Sequence, residues 1–174
     1  IQDILREGQH VLVQVLKESV GGKGPKLSSF IGIPGKYTVL LGNADIVGIS
    51  RKIESQKERE RLNDIVRRIK PEGIGLIART ASIDIPEEDL LQDTKELFRL
   101  WTDIKKRSDE TKNPSLIYEE PRLYIKAVRD FVSGDLSRVV VDSKDVYDEI
   151  NSYVKKYLPD SGVRVELYKD PEPL

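Results

Sequence analysis

The apolar positions of the chain change their spacing several times, and each change predicts an element. Residues 11–16 (VLVQVL) are a β-rich apolar run and predict a strand. Gly21, Gly22, Gly24 and Pro25 make a flexible turn carrying Lys23 and Lys26. Residues 27–33 predict the returning strand, closed by Pro34-Gly35, and 36–41 predict another. Gly42-Asn43 signals a turn, and Val47 to Ile53 predicts one more short strand. Over 55–69 the apolar residues Leu62, Ile65, Val66 and Ile69 recur three and four apart, which predicts a helix stopped by Pro71 and Gly73. Residues 74–79 predict a buried-type strand. Pro86, followed by Glu87, Glu88 and Asp89, opens a second helix to about Lys106. Its inner face is predicted as Leu90, Leu91, Leu97, Phe98, Trp101 and Ile104.

After the polar stretch 107–114 the pattern becomes a strand–helix alternation. Strands are predicted at 116–118, 138–141 and 163–168, and helices at 123–132 and 145–157. This predicts an α/β layer and a boundary near residue 110. No internal repeat is visible.

Composition narrows the classes. Hydrophobic residues make up 38% and charged residues 34% of the 174 residues, which fits a soluble globular chain and excludes a disordered one. The net charge of −1 supplies no global field toward nucleic acid, so any such binding must rest on local basic patches. With no Cys and one His, disulfides, thiolate metal sites and His-based zinc sites are excluded. The lack of Cys fits a reducing cytoplasm. No apolar run reaches the roughly 20 residues that span a bilayer. There is no Met and the chain opens on Ile1, so the sequence is expected to be a fragment, a processed product or part of a longer protein.

Signals for catalysis are sparse. His10, in an apparent strand with no motif around it, reads as an ordinary surface or half-buried residue. Most carboxylates, such as Glu58 and Glu60, read as solvated helix faces. Asp142 follows an apolar run, where it could hold a metal or, with Ser143, cap the next helix. Three clusters combine small and basic residues. Gly21 to Lys26 lacks the Gly-Lys-Ser/Thr ending of a P-loop. It reads either as a hairpin tip with two Lys near backbone phosphates or as an ordinary solvated hairpin. Gly48-Ile49-Ser50-Arg51-Lys52 ends a predicted strand. At Arg79-Thr80-Ala81-Ser82 a predicted buried strand runs into a loop, and an Arg fork with a Thr hydroxyl makes a credible phosphate site.

In order and spacing, the segments KGPKLSSFIGIPGKY, GISRKIE, GLIARTA, EEDLLQD and LW, then LIYEE, AVRDF, VVVDS and LYKDPEPL, resemble the ribonuclease E/G family over essentially the whole chain. The resemblance implies an α+β and α/β architecture in three modules. Residues 1–30 would be the last part of an OB-fold RNA-binding domain, 31–112 a sensor of the RNA 5′ end, and 113–174 a ribonuclease-H-like subdomain without its own activity.

By the same resemblance Arg79 and Thr80 would hold an RNA 5′-monophosphate, helped by Arg51, with Gly35 and Val39 lining the pocket. Lys23 would be an RNA contact on the OB fold, with Lys26 and Lys52 adding charge. Two positions depart from the family pattern. Lys52 stands where a second Arg is usual, keeping the charge without the fork, and Ser82 stands where Gly is usual.

The resemblance also implies a magnesium-dependent endoribonuclease acting on single-stranded RNA in RNA processing and mRNA decay, in a bacterial cytoplasm or a plastid. A homo-oligomeric parent is compatible with it. The magnesium-holding Asp residues and a zinc-joining Cys pair would lie beyond Leu174, and the first OB strands before Ile1. This chain alone is therefore expected to be inactive. The alternative expectation is a stand-alone, catalytically inactive RNA-end-binding regulatory protein.

Overall fold

A computed structural model describes residues 5–131, 137–158 and 161–170. The fold is mixed α+β, and its chain contacts divide it into two units between Tyr118 and Glu119.

The first unit begins with a hairpin of β1 (Gln14–Lys17) and β2 (Lys26–Ser28), whose register shifts between Val15 and Lys17. Its turn uses Gly21 and Gly22 at φ 54° and 83°, a left-handed backbone that glycine adopts without strain. Val11, Val13 and Val15 are exposed. The returning strand expected over 27–33 is broken. Ser28 Oγ accepts from Phe30 N at 3.0 Å and bends the chain, so β2 stays with the hairpin while β3 (Gly32–Pro34) joins a different sheet.

That sheet has the order β3-β4-β6-β5, with β4 at Thr38–Leu41, β5 at Val47–Ile49 and β6 at Gly75–Ala78. β4 runs antiparallel to both β3 and β6, and β5 runs parallel to β6. The crossover between these parallel neighbours is α1 (Gln56–Ile69). Ser55 caps α1, accepting from Glu58 N. β5 ends earlier than its apolar pattern predicts. The chain turns after Ser50, with Ile53 N donating to Ser50 O, and Ile53 drops into the core at 2% exposure.

The cross-strand partners Thr38, Leu40, Leu76 and Ala78 are fully buried on one face, which α1 and α2 (Glu87–Glu110) cover. The inner stripe of α2 is Leu90, Thr94, Leu97, Trp101 and Ile104. Leu91 is only half-buried and Phe98 is 40% exposed, against expectation. The helix packs along a single stripe of alternating three- and four-residue steps, and positions 91 and 98 belong to the next stripe round. Thr94 is admitted because its hydroxyl donates to Leu90 O at 2.8 Å. Residues 116–118 form no strand. Ile117 and Tyr118 are held by packing on the first unit's core rather than by a ladder.

The second unit comprises α3 (Leu123–Phe131), β7 (Arg138–Val141), α4 (Lys144–Tyr157) and β8 (Arg164–Leu167). β7 and β8 are parallel and joined by α4, so this half carries the expected α/β layer. Its core is Ile125, Val128, Val141, Ile150 and Val154. Val132, the predicted last residue of α3, lies outside the described residues. Among the described residues no helix is long and apolar enough to cross a membrane.

Candidate phosphate-binding site

Three backbone segments converge where β6 runs out. Strand pairing puts Ala78 opposite Thr38 on one side and Ile49 on the other. Arg79 N then donates to Tyr37 O at 2.9 Å, and Ser50 N to Ala78 O at 2.9 Å. The turn before β4, the end of β5 and the end of β6 are therefore tied together. These segments carry Gly35, Arg51 with Lys52, and Arg79 with Thr80. Side chains alternate along a strand, so Arg79 follows Ile77, and hence its partner Val39, on the face away from the helices.

Arg79 is half-buried. Its Nη1 donates to the carbonyls of Gly35 and of Lys36, the latter at 3.1 Å. Its Nε and Nη2 bond no described residue, and no carboxylate pairs with it among the described residues. A guanidinium anchored by one nitrogen, without a counter-ion, keeps positive charge and donors for an oxyanion. Thr80, Arg51 and Lys52 are exposed, and their side chains likewise bond no described residue. Ser82, by contrast, is fully buried. Its hydroxyl donates to Arg79 O and closes the 3-10 turn Thr80–Ser82.

Gly35 is packed rather than open. A Cβ there would lie 2.5 and 2.7 Å from the Asp93 carboxylate oxygens and 2.8 Å from Leu97. Asp93 is the residue that pattern reading missed. Its Oδ1 accepts from Lys36 N at 2.8 Å. Its Oδ2 accepts from Tyr37 N at 3.1 Å, Thr38 N at 2.8 Å and Thr38 Oγ1 at 2.8 Å. The available signal was its place on the apolar stripe, three residues after Leu90 and four before Leu97.

Two arginines were also missed. Arg59 Nη1 donates to Ser50 O at 3.0 Å and Ile53 O at 3.2 Å, fixing the turn that presents Arg51 and Lys52. Arg61 donates to Ile85 O at 3.0 Å and Ser82 O at 3.3 Å while forking onto Glu58. Glu58 is thus engaged rather than solvated. The Arg61 hydrogen bonds hold its carboxyl below the usual glutamate range; desolvation opposes this, and the Asp84 N–H and the Arg61 charge lower it further.

The other candidates lie apart from this convergence. Lys23 and Lys26 are exposed on the hairpin, where Lys26 stands directly opposite Lys17. His10 is exposed. Asp142 is exposed after β7, and Ser143 occupies the N-cap of α4 without a side-chain cap bond. The capping reading therefore holds in position but not in bonding. No cluster of three or more metal-ligating side chains occurs among the described residues.

Residues 32–174 match the model of the ribonuclease E/G family. The chain belongs to that family. It is 36% identical over 174 residues to Ribonuclease G of Salmonella typhimurium, covering all of this chain and 36% of the relative. It is 38% identical over 175 residues to Ribonuclease E of Haemophilus influenzae, again covering all of this chain but 19% of the relative. Ribonuclease E of a Nostoc strain is 34% identical over 177 residues, with 26% of its length covered. The chain thus spans about a third or less of the length of these relatives.

Proposed function

We propose that this chain is the RNA-binding and 5′-monophosphate-sensing part of a ribonuclease E/G-type endoribonuclease. Residues 31–112 act as the sensor. Residues 1–30 are the end of an OB fold, and 113–174 a ribonuclease-H-like subdomain. The observation that carries this reading is the half-buried, carbonyl-anchored Arg79 guanidinium, whose other edge bonds no residue and pairs with no carboxylate among the described residues. Arg79 and Thr80 bind the terminal phosphate, Arg51 and Lys52 add charge, and Gly35 and Val39 bound the pocket. A terminal monophosphate carries close to two negative charges near neutral pH and an internal phosphodiester one, so a compact cationic pocket favours the chain end.

The hairpin supplies the sequence-independent part of binding. Like charges directly opposite each other destabilise a strand pair. A polyanion bound across Lys17, Lys26 and Lys23 relieves that repulsion. Cleavage of single-stranded RNA with magnesium, RNA processing and decay, and cytoplasmic placement belong to this proposal for the parent protein.

The test compares short single-stranded RNAs ending in 5′-monophosphate or 5′-hydroxyl at one fixed salt concentration. A charge-assisted hydrogen bond contributes about 1.5–3 kcal/mol. Arg79→Ala should therefore weaken monophosphate binding by roughly ten- to a hundredfold and leave the hydroxyl RNA nearly unchanged. Arg79→Lys should rescue in part, because Lys keeps the charge without the planar fork. Equal losses for both RNAs would make Arg79 a general backbone contact. No loss for either would place the pocket elsewhere.

A further inference from the structure

Two of the four bonds of Asp93 and both side-chain bonds of Arg79 meet on the same two peptide groups. The carbonyl of Gly35 and the N–H of Lys36 belong to one peptide unit; the carbonyl of Lys36 and the N–H of Tyr37 belong to the next. In both units the N–H end donates to the Asp93 carboxylate and the C=O end accepts from Arg79 Nη1. Two consecutive peptide dipoles thus lie in series between a carboxylate and a guanidinium, each oriented favourably toward both charges. A peptide unit carries a dipole of about 3.5 D, and hydrogen-bonded chains of this kind polarise one another.

We propose that Asp93 is the positioning residue for Arg79 in 5′-phosphate recognition, acting through the peptide groups 35–36 and 36–37. The inference rests on the sensor reading above and deepens it. A direct Asp–Arg pair would occupy the fork and cancel the charge that an RNA phosphate needs. Here the carboxylate is satisfied by three amides and the Thr38 hydroxyl, so it fixes the guanidinium without competing for it. The Nε and Nη2 donors bond no residue among the described ones. Gly35 belongs to the same device, because any Cβ would occupy the space of the carboxylate oxygens. Asn cannot replace Asp fully, since its NH2 group would face amide donors. Glu is a methylene longer and would crowd Gly35 and Leu97.

The test uses the whole chain carrying Asp93→Asn, Arg79→Ala and both. It has two readouts: affinity for the two RNAs, and the side-chain Nε–H NMR resonance of Arg79 recorded without RNA. Asp93→Asn should reduce the preference for 5′-monophosphate by roughly three- to thirtyfold, the coupling typical of residues in one hydrogen-bond network, and leave 5′-hydroxyl affinity unchanged. In the Arg79→Ala background the same substitution should change the preference by less than about twofold, because the group it orients is gone. The Arg79 Nε–H resonance should shift and broaden in Asp93→Asn. Equal loss for both RNAs, or the same loss with and without Arg79, overturns the proposal. So does an unchanged Arg79 resonance.

If the wild-type chain shows no monophosphate preference, the sensor reading fails. The resonance measurement still decides whether Asp93 holds Arg79. If Asp93→Asn does not fold, Thr38→Val removes the hydroxyl bond to Oδ2 and keeps all three amides. A shift of the Arg79 resonance in that variant supports the coupling, and no shift overturns it.

Discussion

Replacing Arg61 by Leu isolates the side-chain cluster that closes the loop after Arg79-Thr80. Arg61 Nε and Nη2 bond the Glu58 carboxylate at 2.8 and 2.5 Å, while its Nη1 and Nη2 reach Ile85 O and Ser82 O. Glu58 Oε1 in turn accepts from Asp84 N at 3.1 Å. Asp84 has φ 58°, a left-handed conformation that costs an L-residue roughly 1–2 kcal/mol and so must be held by its surroundings. The Arg61 side chain is 35% exposed, which discounts the ion pair to a few tenths of a kcal/mol, about the value of a helical i,i+3 pair. Each carbonyl bond contributes about 0.5–1.5 kcal/mol. Glu58, only 13% exposed, would also lose its main partner.

Arg61→Leu should therefore destabilise the first unit by about 2–3 kcal/mol. Urea unfolding followed by fluorescence of Trp101, the chain's one tryptophan and 4% exposed, measures it. Hydrogen exchange at the Asp84 amide should accelerate. The pH dependence gives an independent check. A carboxyl whose folded pKa is depressed contributes stability that is complete above its unfolded value and is lost as pH falls through the folded one. The wild-type chain should lose this contribution below about pH 4, and Arg61→Leu should flatten that limb. A stability change below about 0.5 kcal/mol with unaltered Asp84 exchange would refute the reasoning.

A Cβ at position 42 would lie 2.4–2.6 Å from three ring atoms of Trp101, so Gly42→Ala should cost about 1–3 kcal/mol and red-shift the Trp101 emission. Lys23→Gln and Lys26→Gln should each weaken binding of single-stranded RNA equally for both 5′ ends. Each should also lower the slope of log affinity against log salt by about 0.7; a loss specific to monophosphate RNA would contradict the hairpin's assigned role.

The sequence by itself determined the elements whose signals are local. The three- and four-residue spacing of Leu62, Ile65, Val66 and Ile69 set α1, and Pro71-Gly73 ended it, because periodicity and helix stops act within one segment. The Arg79-Thr80 and Arg51-Lys52 clusters were legible as basic groups at strand ends. Tertiary structure decided where strands 27–33 and 47–53 broke. A β-rich run carries no information about which partner edge it will find, and here two different sheets claimed 26–28 and 32–34. It also decided which side chains make the site. Asp93 and Gly35 lie far apart in sequence, and only the packing of α2 on β4 brings a carboxylate under the amides of residues 36–38. Among the many carboxylates of α2, sequence does not mark Asp93 as the one that will bond the amides of another segment, since charge type records what a side chain can bond and only the fold supplies the partner.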